Sequence, residues 1–104
     1  LYSSAASDVY KRQYVIPKSK DLGIIGIAEI VLALFLQGQI VGEDGKPVPE
    51  VRLARGFEQL FNLKFGSIYD KVGEVFTRKP YNLTKTLDAL RNAIIKEDRK
   101  RKNR

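Results

Sequence analysis

The chain has 104 residues, with 19 lysines and arginines against 12 acidic residues and a formal net charge of +7 at pH 7. It contains no cysteine and no histidine, which excludes disulfides, thiolate metal sites and the catalytic systems that depend on either residue. The basic balance favours an anionic partner such as nucleic acid or a membrane surface. We therefore expect a cytoplasmic protein that is not an enzyme and has no metal or cofactor.

The first residues are interpreted as foreign to the protein. Residues 3–13 match, position by position, the in-frame translation of a transposase adapter used in sequencing libraries. We take residues 1–13 as a cloning or assembly scar, with a natural disordered terminus as the alternative. The other 91 residues carry +6 and suffice for one domain with a modest core. Since they contain no methionine, we expect a fragment whose missing N-terminal domain is one of its partners.

The most hydrophobic stretch, residues 22–36, is predicted to be the central helix of a small bundle. A membrane span is the alternative, but the stretch is shorter than the roughly 20 residues that a bilayer requires, and Glu29 lies near its middle. An acid on such a helix is expected to be paired, and Arg52 and Arg55 are the candidate partners.

Local signals set the expected boundaries of this helix and of its successor. Gly26 weakens the first turn, so the helix is expected to begin near Ile27, and Gly38 is expected to end it in a left-handed conformation. Residues 39–41 have the composition of a short strand. Pro49 suits the first position of the second helix.

Two amphipathic segments, residues 51–61 and 67–79, meet at a break at residues 62–66 and predict a helix, a turn and a helix. Their apolar residues recur at three- and four-residue steps, which predicts one buried face on each helix. These residues are Val51, Ala54, Phe57 and Phe61 in the first segment and Ile68, Val72, Val75 and Phe76 in the second. Ser67 is the expected N-cap of the second helix.

A last helix is predicted to follow Asn82 as its N-cap and to complete the domain at residues 14–95. Its buried stripe is expected to be Leu83, Leu87, Leu90 and Ile94. Residues 96–104 form a basic C-terminal tail, interpreted either as a solvated, frayed helix end or as a segment that contacts phosphates. The resulting fold class is all-α, with four helices and room for one short strand.

The chain from about residue 29 to 96 resembles the C-terminal part of the RteC family, regulators of tetracycline-inducible conjugative transposons. The residues that carry the resemblance are residues 29–34, Asp44-Gly45, residues 57–62, Ile68-Tyr69, Arg78-Lys79, Leu87-Asp88 and Leu90. The resemblance implies a transcriptional regulator that binds DNA through a helical, winged-helix-like domain. It further implies control of excision or mobilisation genes of a mobile element.

If the helix pair reads double-stranded DNA, its second helix lies in the major groove and Arg78 and Lys79 hold phosphates. The candidate DNA-binding residues are Ser67, Tyr69, Lys71, Arg78, Lys79 and Lys85. Lys71 is alternatively a surface partner of Glu74, and Tyr69 alternatively a half-buried residue at the rim of the core.

The second hypothesis is a helical protein-interaction or dimerisation module without DNA binding. In that case the apolar helix of residues 22–36 docks on the missing N-terminal domain or on a second copy of the chain. An enzyme is the weakest hypothesis. Asp70 and Glu74 share a helix face, but no other catalytic group converges on them.

Overall fold

The computed structural model describes residues 22–103, so the interpretation of residues 1–13 as an adapter-derived segment lies outside it. In the described part the α-helices are α1 (Ile24–Gln37), α2 (Glu50–Phe61), α3 (Ile68–Phe76) and α4 (Lys85–Lys102). A short 3₁₀ helix, Pro80–Asn82, precedes α4. Residues 22–103 form no β-sheet, which confirms the prediction of a small all-α domain with four helices.

The core lies around the middle of α1, as expected for a central helix. Ile27, Ala28 and Val31 of α1 are fully buried and pack with Ala54 of α2 and Ile68 of α3. The other three helices all contact α1, and α2 and α3 pack more extensively on it than on each other. No helix within residues 22–103 combines the length and the apolar character that crossing a bilayer requires.

Helix α1 begins at Ile24, about one turn before the expected start near Ile27. Gly26, within that first turn, has a packing role. A Cβ at Gly26 would lie 3.0 Å from the Thr86 hydroxyl oxygen and 3.3 Å from Cδ1 of Leu22. The glycine therefore permits a close approach of α4 to α1. The predicted end is confirmed, because Gly38 has φ 72° and donates its N–H to the Leu34 carbonyl.

The connection between α1 and α2 is a tight turn. Where residues 39–41 were predicted to allow a short strand, the chain forms a single β-bridge. Val41 and Pro47 form an isolated antiparallel bridge, and Gly42 donates its N–H to the Lys46 carbonyl at 2.9 Å. On the other side of the bridge Val48 donates its N–H to the Ile40 carbonyl at 3.0 Å. The Lys46 N–H donates to the Asp44 carboxylate at 3.0 Å instead of to Gly42, so the pairing does not extend into a ladder. Pro49 is the N-cap of α2, one residue before its predicted place.

The predicted helix, turn and helix are present as α2 and α3. Asn62 ends α2 in the left-handed region with φ 50°. The Glu58 carboxylate then accepts the Phe65 N–H at 2.8 Å, which ties the turn back to α2. The Ser67 hydroxyl accepts the Asp70 N–H at 3.4 Å and confirms the predicted cap of α3. A DNA-reading role for this pair stays a prediction.

Several apolar residues that were expected to be buried are exposed. Phe76 keeps 59% of its accessible surface, and on α4 Leu90 is exposed and Ile94 keeps 73%. The predicted stripes are wrong at these positions, because no described residue covers Phe76 on the outer side of α3, or Leu90 and Ile94 on α4. The predicted N-cap is also wrong, since Asn82 lies in the 3₁₀ helix and Thr84 precedes α4.

Two glycine substitutions test the close approach of α4 to α1. Gly26→Ala is expected to lower the free energy of unfolding by about 1 kcal/mol, because the added Cβ forces the buried Thr86 to shift. Gly73→Ala is the matched control, because that helical site is open, and it is expected to raise the free energy by about 0.5–1 kcal/mol. Urea unfolding measures both. An increase of similar size for both variants would contradict the close contact.

Candidate nucleic-acid interface

The first turn of α3 brings together three of the predicted DNA-binding residues, but its outer surface is not basic. Ser67 is half-buried as the helix cap, whereas Tyr69 keeps 62% of its surface and is exposed rather than half-buried. Lys71 lies 3.6 Å from the Glu74 carboxylate, as the surface-pair alternative predicted. With Asp70 also exposed, α3 has two acids and one cation. This charge does not favour a phosphate backbone.

Arg78 was predicted to hold a phosphate, and the structure instead engages it inside the protein. Its guanidinium donates to the Glu29 carboxylate and, at 3.2 Å, to the Leu83 carbonyl. Glu29 therefore pairs with Arg78 and not with the expected Arg52 or Arg55, which corrects the predicted partner of Glu29. A phosphate contact by Arg78 stays a prediction, and this pairing does not favour it. The pairing joins α1 to the segment after α3, a relationship across 49 residues that local patterns do not reveal.

The carboxylate of Glu29 also holds the beginning of α4. One oxygen accepts the Thr86 N–H at 3.1 Å, and the other accepts the Leu87 N–H at 2.7 Å. These N–H groups belong to the first turn of α4, where the helix dipole favours a negative charge. Burial alone raises the pKa of Glu29, but the bonds from Leu87, Arg78 and Thr86 outweigh it and hold the pKa below the ordinary value of 4.5.

The positive charge of the described residues is concentrated on α4. Residues 22–84 contain seven basic and seven acidic residues, whereas α4 contains seven basic and three acidic ones, which leaves +4 on this helix. Two of its cations are paired within the helix, Arg101 with Glu97 and Lys102 with Asp98, both at 3.1 Å. Within residues 22–103 the other α4 cations form no ion pair: Lys85, Arg91, Lys96, Arg99 and Lys100.

Most of these cations share one side of α4, which we call the basic face. At 3.6 residues per turn the basic face consists of Lys85, Ala89, Asn92, Lys96, Arg99 and Lys100, all of them exposed. Leu87, which donates its N–H to Glu29, lies on the opposite side of the helix, and the buried Thr86 lies about a quarter turn from the centre of the basic face. The basic face is therefore open to a large partner.

Sequence reasoning found the two ends of this face but did not join them. Lys85 was among the predicted DNA-binding residues, and residues 96–104 were interpreted as a basic tail or helix end with phosphate contact as an alternative, whereas α4 runs unbroken from Lys85 to Lys102. The missed signal is the spacing of four, seven and eleven residues after Lys85, which reaches Ala89, Asn92 and Lys96. Lys79 is also exposed, just before the 3₁₀ helix.

No group of acidic side chains in the described part of the chain could hold a metal ion. Comparison with family models, with curated proteins and with solved structures found no match for this chain. The RteC relationship accordingly stays a prediction, and the basic face is the feature of residues 22–103 whose chemistry points to a ligand class.

Replacement of Glu29 tests its role in holding α4. Glu29→Gln is expected to lower the free energy of unfolding by about 2–3 kcal/mol, because Arg78 loses its counter-charge and the α4 N–H groups lose a charged acceptor. Glu97→Gln is the matched control, since it removes an exposed ion pair and is expected to cost less than about 0.5 kcal/mol. Chemical denaturation measures both, and equal losses would contradict the assignment.

The lowered pKa of Glu29 also predicts an acid dependence of stability. The unfolded carboxyl titrates near 4.5 and the folded one below it, so Glu29 stabilises the fold above 4.5 and loses this effect as the pH falls through the folded pKa. Burial raises the pKa of Glu50, so protonation of Glu50 as the pH falls removes the cost of burying its charge. Its effect on stability is therefore opposite in sign to that of Glu29. The stability gap between wild type and Glu29→Gln should therefore shrink below about pH 4.5 in urea titrations. A gap independent of pH would contradict it.

Proposed function

We propose that this chain is a double-stranded DNA-binding module of a transcriptional regulator, and that the basic face of α4 binds the phosphate backbone. The observation that carries the proposal is the segregation of charge, with residues 22–84 neutral and +4 on α4. Clustered Lys and Arg release counterions from a nucleic acid, which supplies affinity for any sequence. Ion pairs within α4 involve Arg101 and Lys102, so the cations of the basic face remain able to bind phosphates.

Duplex DNA fits α4 better than single strands or duplex RNA. Single-strand binding relies on aromatic side chains that stack on bases, and α4 contains no aromatic residue. The major groove of A-form RNA is too deep and narrow for side chains to read. The major groove of B-DNA is about 12 Å wide and admits one α-helix. Because every residue of the basic face is exposed, a duplex can reach this face without displacing a core contact.

This proposal moves the main DNA contact from α3 to α4. On α3 the acids Asp70 and Glu74 repel phosphates, and Lys71 is paired with Glu74. Arg78, which follows α3, is bound to Glu29. In this proposal α2 and α3 serve to pack against α1. Glu29 of α1 in turn holds the first turn of α4. Ser67 and Tyr69 do not contribute positive charge. In this proposal the exposed Lys79, just before the 3₁₀ helix that leads into α4, is an auxiliary phosphate contact.

The regulatory part of the proposal comes from the RteC resemblance. Residues 57–62 and the segments around them are similar to the family's C-terminal part, which implies cytoplasmic control of excision or mobilisation genes on a mobile element. The structure contributes the binding surface to this proposal and the resemblance contributes the biological role. The wing implied by the family has no strand counterpart between α3 and α4, where the chain forms the 3₁₀ helix.

A specific observation also favours the interaction module as a second candidate. Tyr69 and Phe76 lie seven residues apart on one side of α3, and both are exposed, as is Tyr81 of the 3₁₀ helix. Exposed aromatic residues are enriched where proteins meet. On α4 Leu90 and Ile94 are exposed opposite the basic face and could pair with a second copy or with the missing N-terminal domain.

A salt titration of duplex binding by the full chain tests the proposed function. Replacing Lys96, Arg99 and Lys100 by Gln is expected to weaken binding and to reduce the slope of log affinity against log salt by about 2–3, since each lost phosphate contact removes about 0.9. Fluorescence anisotropy on a 20-bp duplex of mixed sequence, at several salt concentrations, measures this slope.

The controls separate the basic face from net charge and from α3. Replacing Lys46, Arg55 and Lys64 by Gln removes the same charge from exposed sites elsewhere and should leave the slope nearly unchanged. Replacing Lys71 and Lys79 by Gln tests the helix pair as the principal contact. If this last variant loses most of the binding, α3 is the reader after all. If the wild-type chain does not bind duplexes, the interaction module becomes the better account.

A further inference from the structure

We infer that α4 lies in the major groove of DNA and that Asn92, at the centre of its basic face, reads an adenine. This inference rests on the proposed function and goes beyond it, because phosphate contacts alone provide no sequence discrimination. It assigns base recognition to one side chain of α4, a helix that the sequence analysis treated as a core helix followed by a tail.

Asn92 is the only residue of the basic face whose side chain can both donate and accept hydrogen bonds. An amide of this kind matches the N6 donor and N7 acceptor that adenine presents in the major groove. Within residues 22–103 the Asn92 side chain forms no hydrogen bond, and it is exposed. Its amide groups are therefore available for a ligand.

The local sequence allows a close approach of the helix to the bases. Ala89 lies beside Asn92 on the basic face, one turn nearer the beginning of α4, and its short side chain does not hold the backbone away from the floor of the groove. Asparagine is also a weak helix former, which costs stability at an exposed position inside a helix where alanine would serve better. No described contact accounts for it there.

The cations are spaced to hold phosphates on both sides of Asn92. Lys85 and Arg99 lie seven residues before and after it, which a rise of 1.5 Å per residue places about 10 Å away along the axis. A straight helix diverges from the curved groove toward its two ends, so these long side chains can reach phosphates there. Asn92, midway between them on the same face, is then the residue nearest the base edges.

The test is selection from a pool of duplexes with a randomised 20-bp core, followed by sequencing and by binding measurements on the enriched duplexes. The full-length wild type is expected to enrich sites that contain an adenine at one position, and replacing that adenine should weaken binding about tenfold. Asn92→Ala is expected to lose this tenfold preference while binding mixed-sequence duplexes within about twofold of wild type. Its helix content, measured by circular dichroism, should not fall, since alanine favours helix.

Asn82→Ala is the matched control, since it removes an exposed amide from the 3₁₀ helix and should keep the preference. A wild-type chain that binds duplexes with a steep salt dependence but enriches no base would overturn the inference and leave the proposed function intact. Retention of the adenine preference by Asn92→Ala would also overturn it. If the wild type binds no duplex, the proposed function and this inference fail together.

Discussion

The buried carboxylate of Glu29 is the interaction on which the arrangement of this domain depends. Only 2% of the side chain is exposed, and a charge at such a site must be met by hydrogen-bond donors or it would destabilise the fold. The donors come from Arg78 after α3 and from the first turn of α4, residues far from Glu29 along the chain. One carboxylate therefore connects the central helix to the two elements that complete the bundle.

The same attachment explains why most of α4 is exposed. The helix is held at its N-terminal turn, and its later residues extend beyond the other described helices. Unpaired cations along such a helix are hydrated and repel one another, while the neutral remainder of residues 22–103 folds without that repulsion. The residues that stabilise the fold and the excess positive charge therefore lie on different parts of the domain.

A helix, a turn and a helix bury apolar surface in many proteins, and the presence of this pair does not by itself indicate DNA binding. The apolar faces of α2 and α3 are directed at α1, and the turn between them is secured by Glu58 and Ser67. Contact with DNA also requires unpaired positive charge on the outer surface, which α3 lacks and α4 has. The resemblance to a regulator and the charge distribution agree on a nucleic-acid partner but favour different helices for the contact.

The sequence by itself determined the features that depend on near neighbours. Continuous hydrophobicity identified the central helix and periodicity the helix pair. Gly38 and Ser67 were correctly placed at helix ends because capping is a property of a few adjacent residues. Lys85 was recognised as a candidate contact, although the face to which it belongs was not. Only the tertiary structure decided that Arg78 is the partner of Glu29, and that Ile94 is exposed. Both outcomes depend on which helix faces meet across dozens of residues, and periodicity within one helix does not specify that meeting.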